Sequence, residues 1–563
     1  MDYRVRYVPE NDAARWDVTL AVSGLDPAAG PITFQLSDWG SWPELDSVLL
    51  RGLGGDPPVR HDQENPTLFL LEPPSDWKGA AELHYSIALT RRGSRAQQRA
   101  GLWPWQGAGF AHGFTTNTLP RVLQGGREVT DSITVEFLVP NGMTLDTGWT
   151  GRAVTRARVA LEHPIDNTAV FFGEPSGWSA THEPLNCRDV LVEIGQYGRG
   201  ADCTAAAQED VRSLVDAYED ATGLTYDEPL RVFLLDSGGG GVCVDHALVV
   251  GFDPDTNGPA LNADTRHTLA HEMFHHWLGN HLLKPAEDPV WFYEGFTDYL
   301  ALRTLAVTGL YSPDQFLERL LLLDRLAASS PARGAVAFGD PEIAWRDGDG
   351  PNETLAYRGG ALLAFLADVE LQRVNRPGIS AIVGDLRRST GGLFHAADVR
   401  AWFDAQGLAE FAAVHIDQPS ELRLEAALQA IGAAPRETPI DVAYVGLSGA
   451  GEGHFVIVEA VDPDGPAARA GIRPGDRVTG LWPARNSAQI SLPSVLPEPY
   501  ASHRYGLDFI QPGMEGTYIN VMRDGEELHC PLDPAEVRLG RELGYHVEDQ
   551  ARFGEFVRRP DGR

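Results

Sequence analysis

The sequence predicts a multidomain α+β protein, and three observations carry that prediction. The chain has 563 residues, 43% of them hydrophobic, which is too many for a single core. Short β-type segments fill the first third and return near the end. Between them lies a region that begins with strands and becomes strongly helical. The predicted boundaries are 1–165 for a β-rich N-terminal domain, 166–435 for a mixed central domain, 436–540 for a small β domain and 541–563 for a C-terminal extension.

The N-terminal prediction rests on WDVTLAV, ITFQL, TLFLLE, AELHYSIAL, SITVEFLV and ARVALEH, which are broken by Gly, Pro, Asp and Asn. Trp39, Trp42, Trp103 and Trp105 suit core or interdomain packing better than a ligand surface. The start of the chain lacks a basic-then-apolar signal pattern, and no run of eighteen apolar residues occurs. The expectation is a cytoplasmic protein without membrane contact. The formal charge of −33, from 46 basic and 79 acidic residues, argues against nucleic acid as a partner. Lys78 and Lys284 are the only lysines. Cys187, Cys203, Cys243 and Cys530 show no paired C-x-x-C spacing, so a zinc knuckle is not expected. Cys187 and Cys203 can pair only in an oxidising compartment and are otherwise reduced and buried.

The central region opens with a helical run, CTAAAQEDVRSLVDAYEDATG. Next, PLRVFLLDSGGGGVCVDHALVVGF reads as strand over Pro229–Leu235, glycine loop, and strand over Val242–Val250. No Gly-Lys-Ser/Thr follows the glycines, so a phosphate-binding loop is not expected. By itself Asp245-His246 suits a plain hairpin with a polar turn.

ADTRHTLAHEMFHHWLG reads as a helix capped by Asp264 or Thr265 and ended by Gly279-Asn280. It contains H-E-x-x-H at His271, Glu272 and His275. Positions four apart share one helix face, so both imidazoles can reach one zinc ion. Glu272 stands where it can hold and deprotonate a zinc-bound water. Glu294, inside WFYEGFTDYL, can return on a following helix as the third ligand, leaving a fourth position open as catalytic zinc requires. Asp298, four residues on, can orient a zinc histidine through its second ring nitrogen. His267 lacks a glutamate neighbour, His276 projects about 100° away, and His281 lies past the helix end, so these three suit packing or surface roles.

Ser312-Pro313 starts a further helix with Gln315 placed for a capping box. More helices are expected at 377–388, 396–405, 408–415 and 420–431, around a long Gly/Pro/Asp-rich loop at 329–353. LAYRGGALLAFLADV places Tyr357 and Gly359-Gly360 at the start of an apolar helix. After Pro435 the pattern returns to β, with a terminal hairpin around Asp524-Gly525.

These motifs resemble the gluzincin metallopeptidases, the thermolysin-like group whose third zinc ligand is a glutamate. EGFTDY resembles the glycyl aminopeptidase-like family, which ends in a PDZ domain, while the eighteen-residue spacing and HHWLGN resemble the neutral aminopeptidase and leukotriene hydrolase group. The resemblance covers about residues 225 to 370. It implies a thermolysin-like catalytic domain with a mixed β lobe and a helical lobe, and one catalytic zinc ion. It also implies that Tyr357, matching a Tyr-x-x-Gly motif with Gly360, donates to the oxyanion. The resemblance further implies Gly240, Gly241, Asp245 and His246 as candidate substrate contacts beside an edge strand, the plain hairpin being the alternative. The aminopeptidase relatives carry a glutamate there that binds the substrate amino terminus, where this chain offers the shorter Asp245 followed by His246.

GHFVIVEAVDPDGPAARAGIRPGDRVTGL resembles a bacterial PDZ domain. That implies a module able to capture a peptide terminus or to dock on its own peptidase, with Tyr444, Val445, Gly446 and Leu447 nearest to a carboxylate-binding loop. The expected function is zinc-dependent peptide hydrolysis, as an aminopeptidase on short peptides. The alternatives are an endopeptidase with the same mechanism, an inactive PDZ adaptor, or epoxide hydrolysis at the same zinc. Oligomeric state is left open.

Overall fold

The structure is a computed structural model. It describes residues 1–558 except 10–13, 27–28, 37–44, 52–59, 62–67, 72–78, 92–104, 108–109, 130–131, 150, 154–155, 162–166, 175–177, 188–189, 238, 246, 253–257, 287–288, 329, 331, 341–353, 445, 453–454, 483–508, 511–517, 524–525 and 533–536. The chain divides into two compact units, residues 1–216 with 226–273, and residues 217–225 with 274–563. The expected boundary at 165 therefore lies inside the first unit.

In the first unit, alternation of apolar and polar residues builds the sheets. Asp2–Val8 buries Tyr3, Val5 and Tyr7, and Arg15–Ser23 buries Trp16, Val18, Leu20 and Val22. This period of two lays one face of each strand on the core. A six-stranded sheet runs in the order Arg156–Leu161, Ile133–Leu138, Asp2–Val8, Arg15–Ser23, Ala80–Ala88, Leu45–Arg51. It packs with Phe34 and Phe172 in one apolar cluster. The β-rich expectation for this region holds. Trp39, Trp42, Trp103 and the side chain of Trp105 lie outside the described residues.

A mixed five-stranded sheet follows, in the order Trp178–Cys187, Val190–Tyr197, Leu230–Asp236, Ala247–Phe252, Gly241–Val244. Thr204–Thr222 forms the crossover helix between two parallel strands of this sheet. The second strand expected over Val242–Val250 is instead a hairpin: Gly241–Val244 pairs antiparallel with Ala247–Phe252 and forms the sheet edge. Phe171 ties this sheet to the N-terminal strands, with ring centroids 4.7 Å from Phe233 and 4.2 Å from Tyr197. Cys203 is free and buried, and its thiol donates to Gln196 Oε1 at 3.1 Å. The Cys187 side chain lies outside the described residues.

The second unit is mainly helical. Helices span Gly295–Val307, Pro313–Ala328, Gly360–Arg373, Ala381–Thr390, Ala396–Ala405, Ala409–His415 and Glu425–Ala430. The capping box is present: Ser312 N–H donates to Gln315 Oε1 at 2.9 Å, and Gln315 N–H to Ser312 Oγ at 3.2 Å. The helix expected to start at 377 begins only at Ala381, after the turn at Gly378–Ser380. Most of the 329–353 loop lies outside the described residues.

The C-terminal β region has an arrangement not evident from the sequence. Ala433–Tyr444 pairs antiparallel with Val537–Val547, from Ala433↔Val547 to Ala443↔Val537. Between these strands sits a five-stranded sheet, Leu447–Glu452, Phe455–Val461, Arg477–Trp482, Tyr518–Arg523, Glu526–Pro531. The small domain is thus inserted on an antiparallel ribbon, which the short strand Phe509–Ile510 extends to three strands. The expected extension from 541 begins within that ribbon and continues as helix Gln550–Val557. Phe553 and Phe556 of that helix pack edge-on against Phe316 and Phe365. Among the described residues no helix is long and apolar enough to cross a membrane.

Candidate active site

The motif helix runs Ala263–Phe274. Its start is capped by Asn262, whose Oδ1 accepts from Thr265 N–H at 2.8 Å, so the cap lies before the expected Asp264 or Thr265. Asp264 in the first turn complements the helix dipole. Leu269, Met273 and Phe274 are buried. Arg266 Nε donates to the buried Asp210 at 2.8 Å, where burial pushes that carboxyl up and the Arg266 bond only partly offsets it.

The regular helix ends at Phe274, five residues before Gly279-Asn280. Asn280 N–H reaches back to the His275 carbonyl at 2.9 Å, and Gly279 takes φ +121°, which favours glycine. Trp277 packs at a tilt against Tyr218, centroids 5.3 Å apart, and donates to the Leu224 carbonyl at 3.0 Å. These contacts hold the turn that carries His275.

His275 Nδ1 lies 3.1 Å from the Leu278 carbonyl oxygen. A carbonyl only accepts, so Nδ1 is the donor in this contact and Nε2 is the atom turned toward a metal. His275 Nε2 stands 3.3 Å from Glu294 Oε2. Two donors bound at 2.0–2.1 Å to one tetrahedral zinc stand about 3.3–3.4 Å apart, so this pair is spaced to share an ion. One ligand atom from each of His271, His275 and Glu294 lies within 4.8 Å of the others. Two imidazoles and a carboxylate suit zinc by ligand type.

Glu294 sits between the short helix Val290–Tyr293 and the helix Gly295–Val307. Its backbone remains helical, at φ −90° and ψ −51°, and Asp298 N–H bonds its carbonyl at 2.9 Å. Phe292 and Phe296 are buried on either side, with centroids 4.7 Å apart. Glu294 itself is 9% exposed.

Gly241 faces Glu272. A methyl group there would lie 2.7 Å from Glu272 Cγ and 3.1 Å from its Oε1, so only a bare backbone lets the edge strand stand against this carboxylate. Gly240 takes φ +78°, and its carbonyl accepts from Gly251 N–H at 2.7 Å. Asp245 is at the hairpin turn, where its N–H bonds the Asn167 carbonyl at 2.9 Å. Four residues at about 3.3 Å each put Asp245 roughly 13 Å along the strand from Gly241. His246 lies outside the described residues.

Tyr357 is carried by a π turn, Leu355–Gly359, that leads into helix Gly360–Arg373. Such turns are rare and concentrate at functional sites. Asp298 is buried at 1% exposure, and its Oδ2 accepts from Arg358 Nη1 at 2.8 Å. The second nitrogen of His275 goes to the Leu278 carbonyl. His267 and His276 are buried, and His281 is partly exposed.

In the small β domain, Leu447 is in the core with Val458 and Val521. The Gly446 carbonyl accepts from Asp462 N–H at 2.8 Å. Val445 and the side chain of Tyr444 lie outside the described residues.

Sequence reasoning did not find Arg358, the Leu278 carbonyl, or the roles of Gly241 and Gly295. The last two had a signal, since a glycine beside a chemistry-bearing residue marks close backbone approach.

A family model described as a PDZ domain matches residues 457–481. No curated protein matches the chain. Among solved structures, an aminopeptidase N family protein from Idiomarina loihiensis is 16% identical, with TM-score 0.65, covering 99% of this chain and 99% of that one. An M1 zinc metallopeptidase variant from Deinococcus radiodurans bound to a Tyr-Ser-Ala substrate is 17% identical, covering 75% and 92%, with TM-score 0.47. Native yeast LTA4 hydrolase is 14% identical, covering 75% and 68%, with TM-score 0.48. The chain shares the multidomain fold of the first of these, a sheet-rich N-terminal region followed by a helical one.

Proposed function

We propose that this chain is a zinc-dependent peptidase acting as an aminopeptidase on short peptides, with residues 166–435 as a thermolysin-like catalytic region. The observation that carries the reading is the convergence of His271, His275 and Glu294, with the last two set 3.3 Å apart and His275 Nδ1 turned to the Leu278 carbonyl. These residues would hold one zinc ion. When bound, zinc supplies Lewis acidity to the scissile carbonyl and to the attacking water.

The chain's own residues do the rest. Glu272 is half-buried beside the edge strand; it accepts the proton of the attacking water and passes it to the leaving amine. Tyr357 donates to the oxygen that becomes negative as the carbonyl turns tetrahedral. The strand Gly241–Val244 stands last in the order of its sheet among the described residues, where an extended peptide can add as a further strand. Gly241 brings that strand up to the base.

An endopeptidase is the second reading, and one observation favours it. The edge strand reads Gly241, Val242, Cys243, Val244, with no carboxylate to hold a substrate amino terminus, and Asp245 lies beyond its end. The PDZ-like domain offers a place for a peptide terminus in either case. Zinc content, measured together with hydrolysis of unblocked and N-blocked dipeptide amides, tests the proposal. One zinc per chain with cleavage of unblocked substrates supports it. Cleavage of blocked substrates alone moves the assignment to endopeptidase. Absence of zinc-dependent cleavage of both refutes it.

A further inference from the structure

Arg358 connects two parts of the site that the motifs leave separate. Its guanidinium donates to Asp298 at 2.8 Å, and Asp298 lies one helical turn beyond Glu294 on the helix Gly295–Val307. The same guanidinium carbon stands 5.9 Å from the centre of the Tyr357 ring, within the range of a cation–π contact. Asp298 is buried and Arg358 is about one-third exposed. The carboxylate is thus a fixed anchor, and the arginine bridges from it to the half-buried phenol.

We propose that Arg358 is a positioning residue that sets the Tyr357 ring relative to the helix carrying Glu294. This inference rests on the peptidase reading and deepens it. The π turn Leu355–Gly359 closes its hydrogen bonds over one residue more than an α-helix, which sets the direction of Tyr357 apart from that of the helix after it. The charge-assisted bond to a buried carboxylate supplies a second constraint. A lysine there keeps the charge but loses the planar group that can bond a carboxylate and cover a ring together.

The test uses the full chain with R358M, R358K, Y357F and the double variant R358M/Y357F. Zinc content, kcat and KM on one peptide are measured for each. If Arg358 acts through Tyr357, R358M lowers kcat about 10- to 100-fold, with KM within about twofold and zinc retained. R358K recovers part of the loss, and R358M in the Y357F background costs less than about twofold. A readout independent of turnover is 3-fluorotyrosine at position 357 in metal-free protein, whose ¹⁹F resonance moves in R358M and stays put in the remote control R552M. An unchanged resonance, wild-type kcat in R358M, or losses that multiply in the double variant overturn the inference. Wild-type protein that hydrolyses no peptide overturns the peptidase reading itself, and this role with it. Wild-type turnover with an unaffected R358M overturns the positioning role alone. If R358M does not fold, R358K decides by the same criteria.

Discussion

Gly295 and Gly360 meet back to back: a methyl group on Gly295 would lie 2.5 Å from the Gly360 Cα, and one on Gly360 would lie 2.3 Å from the Trp291 carbonyl oxygen. Each glycine begins a helix beside a site residue, Gly295 directly after Glu294 and Gly360 directly after the Tyr357 turn. Two helices that touch through bare backbone have no side chain to adjust, so the crossing fixes how the ligand and phenol segments approach. G360A forces one backbone to move. The expected result is a loss of about 1–3 kcal/mol in stability, as for overpacked cores, together with reduced turnover by the folded fraction. Urea unfolding followed by activity at low denaturant checks both. An unchanged midpoint would mean the crossing has slack.

Glu272 and Glu294 are both carboxylates near the same histidines, yet the proposed mechanism gives them separable failures. E272Q keeps the side-chain shape and all three ligands. Its expected kcat is lower by about 10²- to 10⁴-fold, the usual contribution of a general base, with zinc retained at one per chain. E294Q instead weakens metal retention, and its activity returns in part with excess zinc. Dialysis against a chelator, metal analysis and single-substrate kinetics distinguish the two patterns. Loss of zinc in E272Q would mean that Glu272 serves the metal and not the proton.

Gly241 calls for a different outcome from Gly360, because what a methyl group would meet there is side chain and not backbone. The nearest atoms are Glu272 Cγ and Thr268 Cγ2, both at 2.7 Å. Both atoms sit one bond beyond Cβ, so each side chain must change rotamer, and G241A is expected to fold with a loss of about 1–3 kcal/mol. Glu272 is displaced, and kcat falls by at least tenfold while zinc stays bound. Thermal unfolding, zinc analysis and kcat on one peptide check this. Full activity in G241A would show that the edge strand does not constrain the base.

The parts of this arrangement legible in the sequence are those encoded locally. The metal-ligand spacing, the Ser312–Gln315 capping box and the alternating N-terminal strands each depend on residues a few positions apart, and each is present. Local chemistry misled only at boundaries. Asn262 outcompetes Asp264 and Thr265 as cap because its side chain reaches the Thr265 amide from outside the helix. The turn at Asp245 is marked in the sequence only by two polar residues between apolar stretches, a pattern that fits either a hairpin or a continued strand. The Arg358–Asp298 bridge joins residues 60 apart in sequence, and the ribbon pairs Ala433 with Val547. Contacts of that kind follow from how elements pack and leave no periodic trace.

His112 gives a prediction about stability that is independent of catalysis. It is fully buried between Phe114 and Phe171, with ring centroids at 4.9 and 4.4 Å. Among the described residues neither ring nitrogen has a hydrogen-bond partner. Burial lowers its pKa from 6.5 to about 3, because the charged ring cannot be solvated there. The folded state therefore keeps this histidine neutral while the unfolded chain protonates it below pH 6.5. Its contribution to stability is fully present above pH 6.5 and is lost as pH falls from 6.5 toward about 3. The stability difference between wild type and H112F should then shift against wild type by about 1.4 kcal/mol per pH unit within that window, and stay constant above pH 7. Denaturant unfolding of both proteins at pH 7.5, 5.5 and 4.5 measures it. Parallel stability curves across that range would mean that His112 meets a proton acceptor or solvent in the folded protein.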